Sequence, residues 1–421
     1  MSIGVTEAAL GFVFLSALAL MLWAFAVYPL YIGTVVWTRD AEAEAVPAQD
    51  RLPRVSVILP AYNEERVIER RILNLWQQDY PLGLLEIIII ASGSNDRTTE
   101  IVNELLSGAR NTSPETQLIL EGNRSGKANA IMQGLERAKG EIIVITDANT
   151  KFVPGTIRNL AEAFDCSEIG AAGGRYITDR TSCSVSATEA SFWDVESVLL
   201  CGESMLHSPC YVNGSVSAFR KEFAHPQRDA IADDFEMWLE VIRSGKRCRY
   251  APHAIAFEMS STNLREQIVQ RRRTALGTLR ALWKYRRYLA KPVDRYRALI
   301  LPSHRLIPMM TPFLIIALLG PLILADSQLS RSLWSVLIGG FAIALSSIAI
   351  VSILTRDCYS ENSDSTFRRI DWRGLLVRLP RSFALLTAFF LTNQYILLLA
   401  WMDFVTGKKD VKWEKAQSTR G

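Results

Sequence analysis

Three polar clusters in this chain fall where chemistry could be done. Pro60-Ala61-Tyr62-Asn63-Glu64-Glu65, Ala91-Ser92-Gly93-Ser94-Asn95-Asp96 and Thr146-Asp147-Ala148-Asn149-Thr150 each follow a short β-branched run, and an acidic pair, Asp233-Asp234, comes later. In open parallel sheets, ligands bind outside the carboxyl ends of the strands. Three strand-end clusters would therefore converge on one edge. Taken singly, Asn63 or Asp96 would serve equally as a helix N-cap and Asp147 as a turn residue. Lys127 adds a lone cation at a helix start, where backbone N–H groups already favour a phosphate. Gly122-Asn123-Arg124-Ser125-Gly126-Lys127 is not a P-loop, because the glycines stand one residue too close and Ala128 replaces the Ser or Thr. No GxGxxG follows the first strand, so the dinucleotide-binding fingerprint is missing too.

These clusters need a scaffold. Between Leu52 and about Met259, β-branched runs alternate with helical periodicity, which predicts an α/β fold with a mainly parallel sheet and helices on both faces. Strands are expected at Arg54–Leu59, Glu86–Ala91, Gln117–Glu121 and Glu141–Thr146. Helices are expected at Glu64–Gln78, Arg97–Leu106 and Gly126–Ala138.

The rest of the 421 residues reads as membrane-associated. Ala8 to Trp37 carries no charge, longer than the roughly 20 residues a bilayer core needs. Arg39, Arg51 and Arg54 follow it, so the positive-inside rule puts the next domain in the cytoplasm of an inner (plasma) membrane protein. The expected organisation is an anchor (8–37), a cytosolic catalytic domain (52–262), basic amphipathic helices (263–305), a transmembrane hairpin (306–354), a basic cytosolic loop (355–381), a fourth spanning or re-entrant segment (382–405) and a tail (406–421). Arg265 to Arg305 holds twelve Lys and Arg against Glu266 and Asp294, so a net charge of +4 conceals a strongly basic block. Apolar residues interleave with that charge, favouring anionic lipid over nucleic acid. The six cysteines form no CxxC pair and no histidine stands at ligand spacing, so Cys166, Cys183, Cys201, Cys210 and Cys248 read as reduced core thiols.

Taken together, Val57-Ile58-Leu59-Pro60-Ala61-Tyr62-Asn63-Glu64-Glu65, Gly93-Ser94-Asn95-Asp96-Arg97-Thr98, Ser125-Gly126-Lys127-Ala128-Asn129-Ala130, Asp147-Ala148-Asn149, Asp233-Asp234 and Gln270-Arg271-Arg272-Arg273-Thr274 resemble the family-2 glycosyltransferases. The likeness spans about Val55 to Arg305 and is to the membrane-integrated branch with a GT-A nucleotide-sugar domain, which includes cellulose, hyaluronan and poly-N-acetylglucosamine synthases and ceramide glucosyltransferase. The resemblance implies a metal-dependent, inverting glycosyltransferase using a nucleotide sugar, UDP-linked by the overall match. It implies that Asp147 and Asn149 hold Mg²⁺ or Mn²⁺, and that Pro60, Tyr62, Glu64 and Asp96 line the base and ribose, with Lys127 near base or phosphate. It further implies that Asp234, beside Asp233, is the general base, and that Gln270 and Arg273 lie over acceptor and diphosphate. Three positions depart from the pattern: Asn149 where a second Asp is usual, Ser92 where many relatives carry an Asp contacting the base, and Thr274 in place of the Trp of Gln-x-x-Arg-Trp. Loss of that ring removes an aromatic surface for the acceptor and counts against processive synthesis.

The helical stretch with Phe192, Trp193, Glu196 and Glu203, and the turn Val212-Asn213-Gly214-Ser215, are similar to the family's acceptor-facing region, although such aromatics equally serve as core. The acceptor would be a growing polysaccharide or a glycolipid. Few spans in one copy favour a lipid acceptor, an oligomer or an export partner. A non-catalytic nucleotide-sugar-binding subunit is the rival of a different class.

Overall fold

The computed structural model describes residues 2–40, 52–109, 113–122, 125–178, 184–227, 230–258, 264–326, 328–340 and 390–408. The expected basic loop 355–381, most of the second hairpin helix and the tail beyond residue 408 lie outside these. The chain divides into two compact units, one of residues 1–44 and 290–403, the other of residues 45–289 and 404–421.

In the second unit the chain runs β1 (Val55–Ala61), α1 (Ile68–Trp76), β2 (Leu85–Ser92), α2 (Thr98–Gly108), β3 (Glu115–Glu121), α3 (Lys127–Arg137), β4 (Ile142–Ile145), β5 (Thr150–Phe152), α4 (Thr156–Glu162), β6 (Ile169–Thr178), α5 (Ser184–Leu206), β7 (Ser217–Arg220), α6 (Asp233–Arg243), β8 (Arg247–Glu258) and α7 (Leu264–Lys284). The strands form one eight-stranded sheet in the order β3-β2-β1-β4-β7-β6-β8-β5. The half made of β1 to β4 is parallel, as the apolar runs predict. The other half is mixed, with β7 antiparallel to β4 and β6, and β5 antiparallel to β8.

Two sequence expectations shift. The first helix starts at Ile68 rather than Glu64, because Asn63 takes a left-handed φ of 52° and the Glu64 carbonyl accepts from both Val67 and Ile68 in a turn. Strands β1 and β2 each run on to Ala61 and Ser92, which brings part of the polar clusters into the sheet.

Register sets the geometry of the edge. Ala61 pairs with Ala91, and Ser92 with Glu121, so β1, β2 and β3 end close to one level. Strand order reverses between β1 and β4, the switch point at which open α/β sheets form their ligand crevice. The core beneath is Val55, Val57, Leu59, Ile87, Ile89, Ile142 and Val144 from the strands, met by Ile68, Ile72 and Leu75 from α1 at helical spacing. Each of these buried side chains contributes roughly 1.5–3 kcal/mol of transfer free energy. Among the described cysteines none is bridged; Cys210 and Cys248 are buried, but Cys166 is exposed and not a core residue.

In the first unit, Val5–Thr38 and Tyr296–Leu324 are helices long and apolar enough to cross a bilayer. Phe390–Val405 is a shorter apolar helix, and residues 328–340 are helical. Phe14, Leu18, Leu318, Leu322 and Leu333 pack together, Trp23 Nε1 donates to Ser303 Oγ at 2.8 Å, and Trp401 Nε1 to the Met309 carbonyl at 2.9 Å. Phe12, Ile316, Ile323 and Leu324 remain more than half exposed.

Candidate active site

The first two clusters are stitched to each other. Asn63 N donates to Ser94 Oγ (3.1 Å), Asn95 N to Asn63 Oδ1 (2.9 Å), Glu64 N to Thr98 Oγ1 (2.7 Å) and Glu65 N to Asp96 Oδ2 (3.2 Å), while Arg97 N returns a bond to Glu65 Oε2 (3.2 Å). Asp96 Oδ1 accepts from Thr98 N at 3.0 Å and so braces the start of α2, whose cap position is Arg97. Glu64 is buried, whereas Pro60 and Tyr62 are half-buried at the edge. Asp96 is therefore a brace between two strand-end loops, whatever else it meets.

At the switch point, β4 delivers Asp147 and α3 begins at Lys127. Lys127 Nζ lies 2.7 Å from Asp147 Oδ1, with both side chains about one-third exposed. Burial pulls the Lys127 ammonium toward its neutral form, but Asp147, Asp233 and Asp234 outweigh it and hold its pKa above the ordinary lysine value. Three carboxylates from two chain segments thus act on one cation.

Asp233 and Asp234 occupy the first turn of α6, next to its positive end. The helix is not capped by either side chain; Ala232 holds the cap position. Asp234 is held from both sides: Gly214 N donates to Oδ2 at 3.2 Å and Phe235 N to Oδ1 at 2.8 Å. Gly214 sits in a turn formed by Asn213, whose Oδ1 accepts from Ser215 N at 2.9 Å.

From α7 comes Arg273. Burial lowers its pKa, and the negative charge of Asp233, Asp234 and Asp147 opposes that fall. Gln270 lies one turn earlier on α7 and is exposed. Thr274 is exposed as well, its hydroxyl donating to the Gln270 carbonyl at 3.2 Å, so the Trp position of the motif carries a helix-internal hydrogen bond here.

Asn149 stands apart from the Lys127–Asp147 pair in its bonding. Its Nδ2 donates to Glu258 Oε1 at 2.6 Å, at the end of β8. That bond uses one of the amide's two N–H donors and leaves Oδ1 as its acceptor. Among the described residues no three His, Cys, Asp or Glu side chains form a metal-binding group. One carboxylate and one amide oxygen suit a Mg²⁺ or Mn²⁺ that shares its coordination with substrate phosphates, not a cage preformed by protein alone.

Besides Glu258, sequence reasoning missed two residues. Arg71, on the apolar face of α1 between Ile68 and Ile72, is 2% exposed. It donates to Thr146 Oγ1 (2.6 Å) and Asn74 Oδ1 (2.7 Å) and lies 4.2 Å from the Phe152 ring centre. Burial pushes its pKa down to about 9, and Asp147 opposes the shift. A charged residue inside an otherwise apolar helix stripe was the available signal. The second is Glu121, at the end of β3, which accepts from Ser92 Oγ and, at 2.5 Å, from Asn129 Nδ2. A carboxylate thus lies beside Ser92 at the position where the family pattern led one to expect it on that residue. On α5, Trp193 packs against Tyr176 (4.7 Å) and Phe192 (5.6 Å), with Phe192 40% exposed.

A mixed sheet whose parallel half ends in an acidic crevice, flanked by Lys127 and Arg273, defines a GT-A-type domain. Residues 56–186 match Glycosyl transferase family 2, and residues 142–402 match Glycosyl transferase family group 2; the chain belongs to the family-2 glycosyltransferases. It is 26% identical over 247 residues to the probable glycosyltransferase YdaM of Bacillus subtilis (strain 168), covering 56% of this chain and 57% of that protein. It is 24% identical over 293 residues to an N-acetylglucosaminyltransferase of Rhizobium sp. (strain N33), covering 65% of this chain and 63% of the relative. The chain thus spans rather more than half the length of these relatives. In fold it is similar to the mannosyltransferase PcManGT from Pyrobaculum calidifontis, solved in complex with GDP-Man and Mn²⁺, with a TM-score of 0.64 and 21% identity over 94% of this chain and 99% of that one.

Proposed function

We propose that this protein is a membrane-bound, inverting glycosyltransferase that transfers a sugar from a nucleotide diphosphate sugar to the hydroxyl of a growing polysaccharide or glycolipid. The observation that carries the reading is the Lys127–Asp147 ion pair at the sheet's switch point, with Asp233 and Asp234 adding their charge to Lys127 and Arg273. A site for breaking a bond to a diphosphate needs cations where leaving-group charge grows and a carboxylate where a proton is released.

In this reading Asp234, aimed by Gly214 N and Phe235 N, takes the proton of the acceptor hydroxyl as its oxygen bonds to the anomeric carbon. The carbon–oxygen bond to the diphosphate breaks on the opposite face, so an α-linked donor yields a β-linked product. Asp233, on the same helix turn, holds Lys127 and Arg273 in the crevice by charge. Arg273 and Lys127 face the departing diphosphate, with Gln270 on the acceptor side of α7. Asp147 and the Asn149 carbonyl oxygen would hold a Mg²⁺ or Mn²⁺ that comes with the donor; bound there, the cation neutralises leaving-group charge. Pro60, Tyr62 and Glu64 lie toward the base and ribose, with Asp96 securing their loop. The donor is read as UDP-linked, and the N-acetylglucosaminyltransferase relative supports an N-acetylhexosamine among the sugars to test first.

The two long apolar helices, with exposed apolar side chains along them, support an integral membrane protein. The positive-inside reading puts the catalytic unit in the cytosol, and the basic α7 suits the anionic leaflet. A lipid acceptor is distinguished from a polysaccharide by whether labelled product partitions into organic solvent.

The test is nucleotide diphosphate release by detergent-purified protein across UDP- and GDP-sugars with Mg²⁺ or Mn²⁺, beside Asp234→Asn. Release with one sugar, reduced about 10²–10⁴-fold in the variant, is expected. Equal turnover in the variant would overturn the base assignment. UDP binding without turnover on any donor, even after native lipid is restored, would favour the non-catalytic subunit.

A further inference from the structure

Helix α7 and the residue that follows it are fastened to α6 and its cap residue at three points. Lys284 Nζ lies 2.6 Å from Glu236 Oε2, which is 5% exposed, and Lys284 also donates to Gln227. Tyr285 Oη donates to Glu240 Oε1 at 2.5 Å. At Gly277 the helix comes so close to α6 that a methyl group would sit 2.9 Å from both Ala232 Cβ and Ala232 N. The spacing is regular. Arg273, Gly277 and Lys284 recur at four and seven residues on α7, and Asp233, Glu236 and Glu240 at three and four on α6, so each set shares one helix face. Ala232 immediately precedes the acidic pair, and Glu236 shares the first turn of α6 with it.

We infer that the Glu236–Lys284 ion pair and the Gly277–Ala232 contact are a positioning device, which fixes α7 against α6 so that Arg273 is held over Asp233 and Asp234 at the height of the diphosphate. Lys284 and Glu236 act through Arg273 and meet no substrate atom. The device deepens the function proposed above and rests on Arg273 meeting the leaving group. An Arg side chain reaches a phosphate with a planar fork, so a small change in helix position costs it both hydrogen bonds at once. The partner of Lys284 is a nearly buried carboxylate, so neutralising one member alone would leave an uncompensated charge and risk the fold. The pair is therefore best removed together.

The test is the affinity of the full-length, detergent-purified protein for UDP and for UMP with Mg²⁺, with GDP and GMP in parallel. The ratio of the two dissociation constants reports the β-phosphate contact alone, and melting temperature is recorded beside it. In Glu236→Gln/Lys284→Met the diphosphate advantage is expected to fall by roughly tenfold, the scale of direct coupling between neighbouring sites. Lys284→Arg should keep it, and adding Glu236→Gln/Lys284→Met to Arg273→Ala should lower it no further than Arg273→Ala alone. An unchanged ratio in the double variant overturns the device, as does a loss that multiplies with that of Arg273→Ala or one that weakens UDP and UMP equally. If Arg273→Ala itself leaves the ratio intact, the reading of Arg273 fails and the device with it. Absence of binding by UDP, GDP and their monophosphates to the wild-type protein would overturn the nucleotide-sugar reading instead.

Discussion

Gly214 N donates to Asp234 Oδ2 at 3.2 Å, and a methyl group on Gly214 would come within 2.8 Å of that same oxygen. Position 214 has room for a backbone but not for a side chain. Gly214→Ala is therefore expected to displace Asp234 together with the first turn of α6, because the added methyl would also come within 2.9 Å of Asp234 Cβ, which rotation of the carboxylate cannot move. A misplaced general base loses most of the 10²–10⁴-fold contribution typical of such groups, so kcat should drop by about 10–100-fold. Nucleotide affinity should change less than threefold or so by the same logic, since Asp234 faces the acceptor proton. Steady-state kinetics with UDP titration would check this. A Gly214→Ala enzyme with wild-type kcat would remove Asp234 from the chemistry.

Metal affinity should depend on the nucleotide. Asp147 Oδ1 is paired with Lys127, and Asn149 contributes one neutral oxygen, so the protein alone supplies few ligands. Titration of Mn²⁺ followed by electron paramagnetic resonance is expected to show weak binding to the protein alone and at least roughly tenfold tighter binding when UDP is present, its phosphates completing the coordination. Asp147→Asn should abolish the tight phase. Mn²⁺ bound equally well with and without UDP would place the cation elsewhere.

The same ion pair sets a pH dependence with a definite sign. Burial works against the Lys127 charge and the three carboxylates restore it, which raises its pKa. A raised lysine stays charged, and contributes its pairing to stability, up to a pH above its ordinary titration, so the wild-type domain should show no alkaline loss near neutrality. Asp147→Asn removes one restoring charge and leaves burial less opposed, so the pKa of Lys127 falls. Metal-free UDP binding, measured by calorimetry across pH, should then fail at lower pH in the variant than in the wild type. Superimposable profiles would mean that Lys127 does not meet the phosphates.

The parallel half of the domain was readable because its strands are uninterrupted apolar runs, such as Ile87-Ile88-Ile89-Ile90, each followed by polar residues. Local pattern carries that information. The mixed half was not readable in this way: β7 is four residues long and pairs antiparallel with β4 at a separation of about 75 residues, which no local periodicity encodes. The site divides along the same line. Lys127 and Asp147 sit at element ends where spacing reveals them, and the resemblance supplied Asp234 and Arg273. Arg71 and Glu121 escaped, because one lies inside an amphipathic helix and the other ends a strand whose partner Ser92 is 29 residues away. Glu258 escaped for the same reason, reaching Asn149 across 109 residues.

Asp96 offers a way to separate support from binding. Its Oδ1 accepts from Thr98 N and its Oδ2 from Glu65 N, so one side chain ties the start of α2 to the loop after β1. Asp96→Ala removes the acceptor of Glu65 N and of the buried Thr98 N and Oγ1 and should cost about 1–3 kcal/mol, the range for a buried donor left unsatisfied. Asp96→Asn keeps one acceptor but turns an NH₂ group toward the other donor, so it should recover only part of that loss. If bracing is the whole role, UDP affinity measured well below the melting temperature should recover in Asp96→Asn to the extent that stability does. If the carboxylate also meets the ribose hydroxyls, affinity should stay low in Asp96→Asn while stability partly returns, because an amide replaces the charged acceptor. Urea denaturation and UDP titration on the same three proteins distinguish the two, and an Asp96→Ala protein as stable as the wild type would overturn the bracing role.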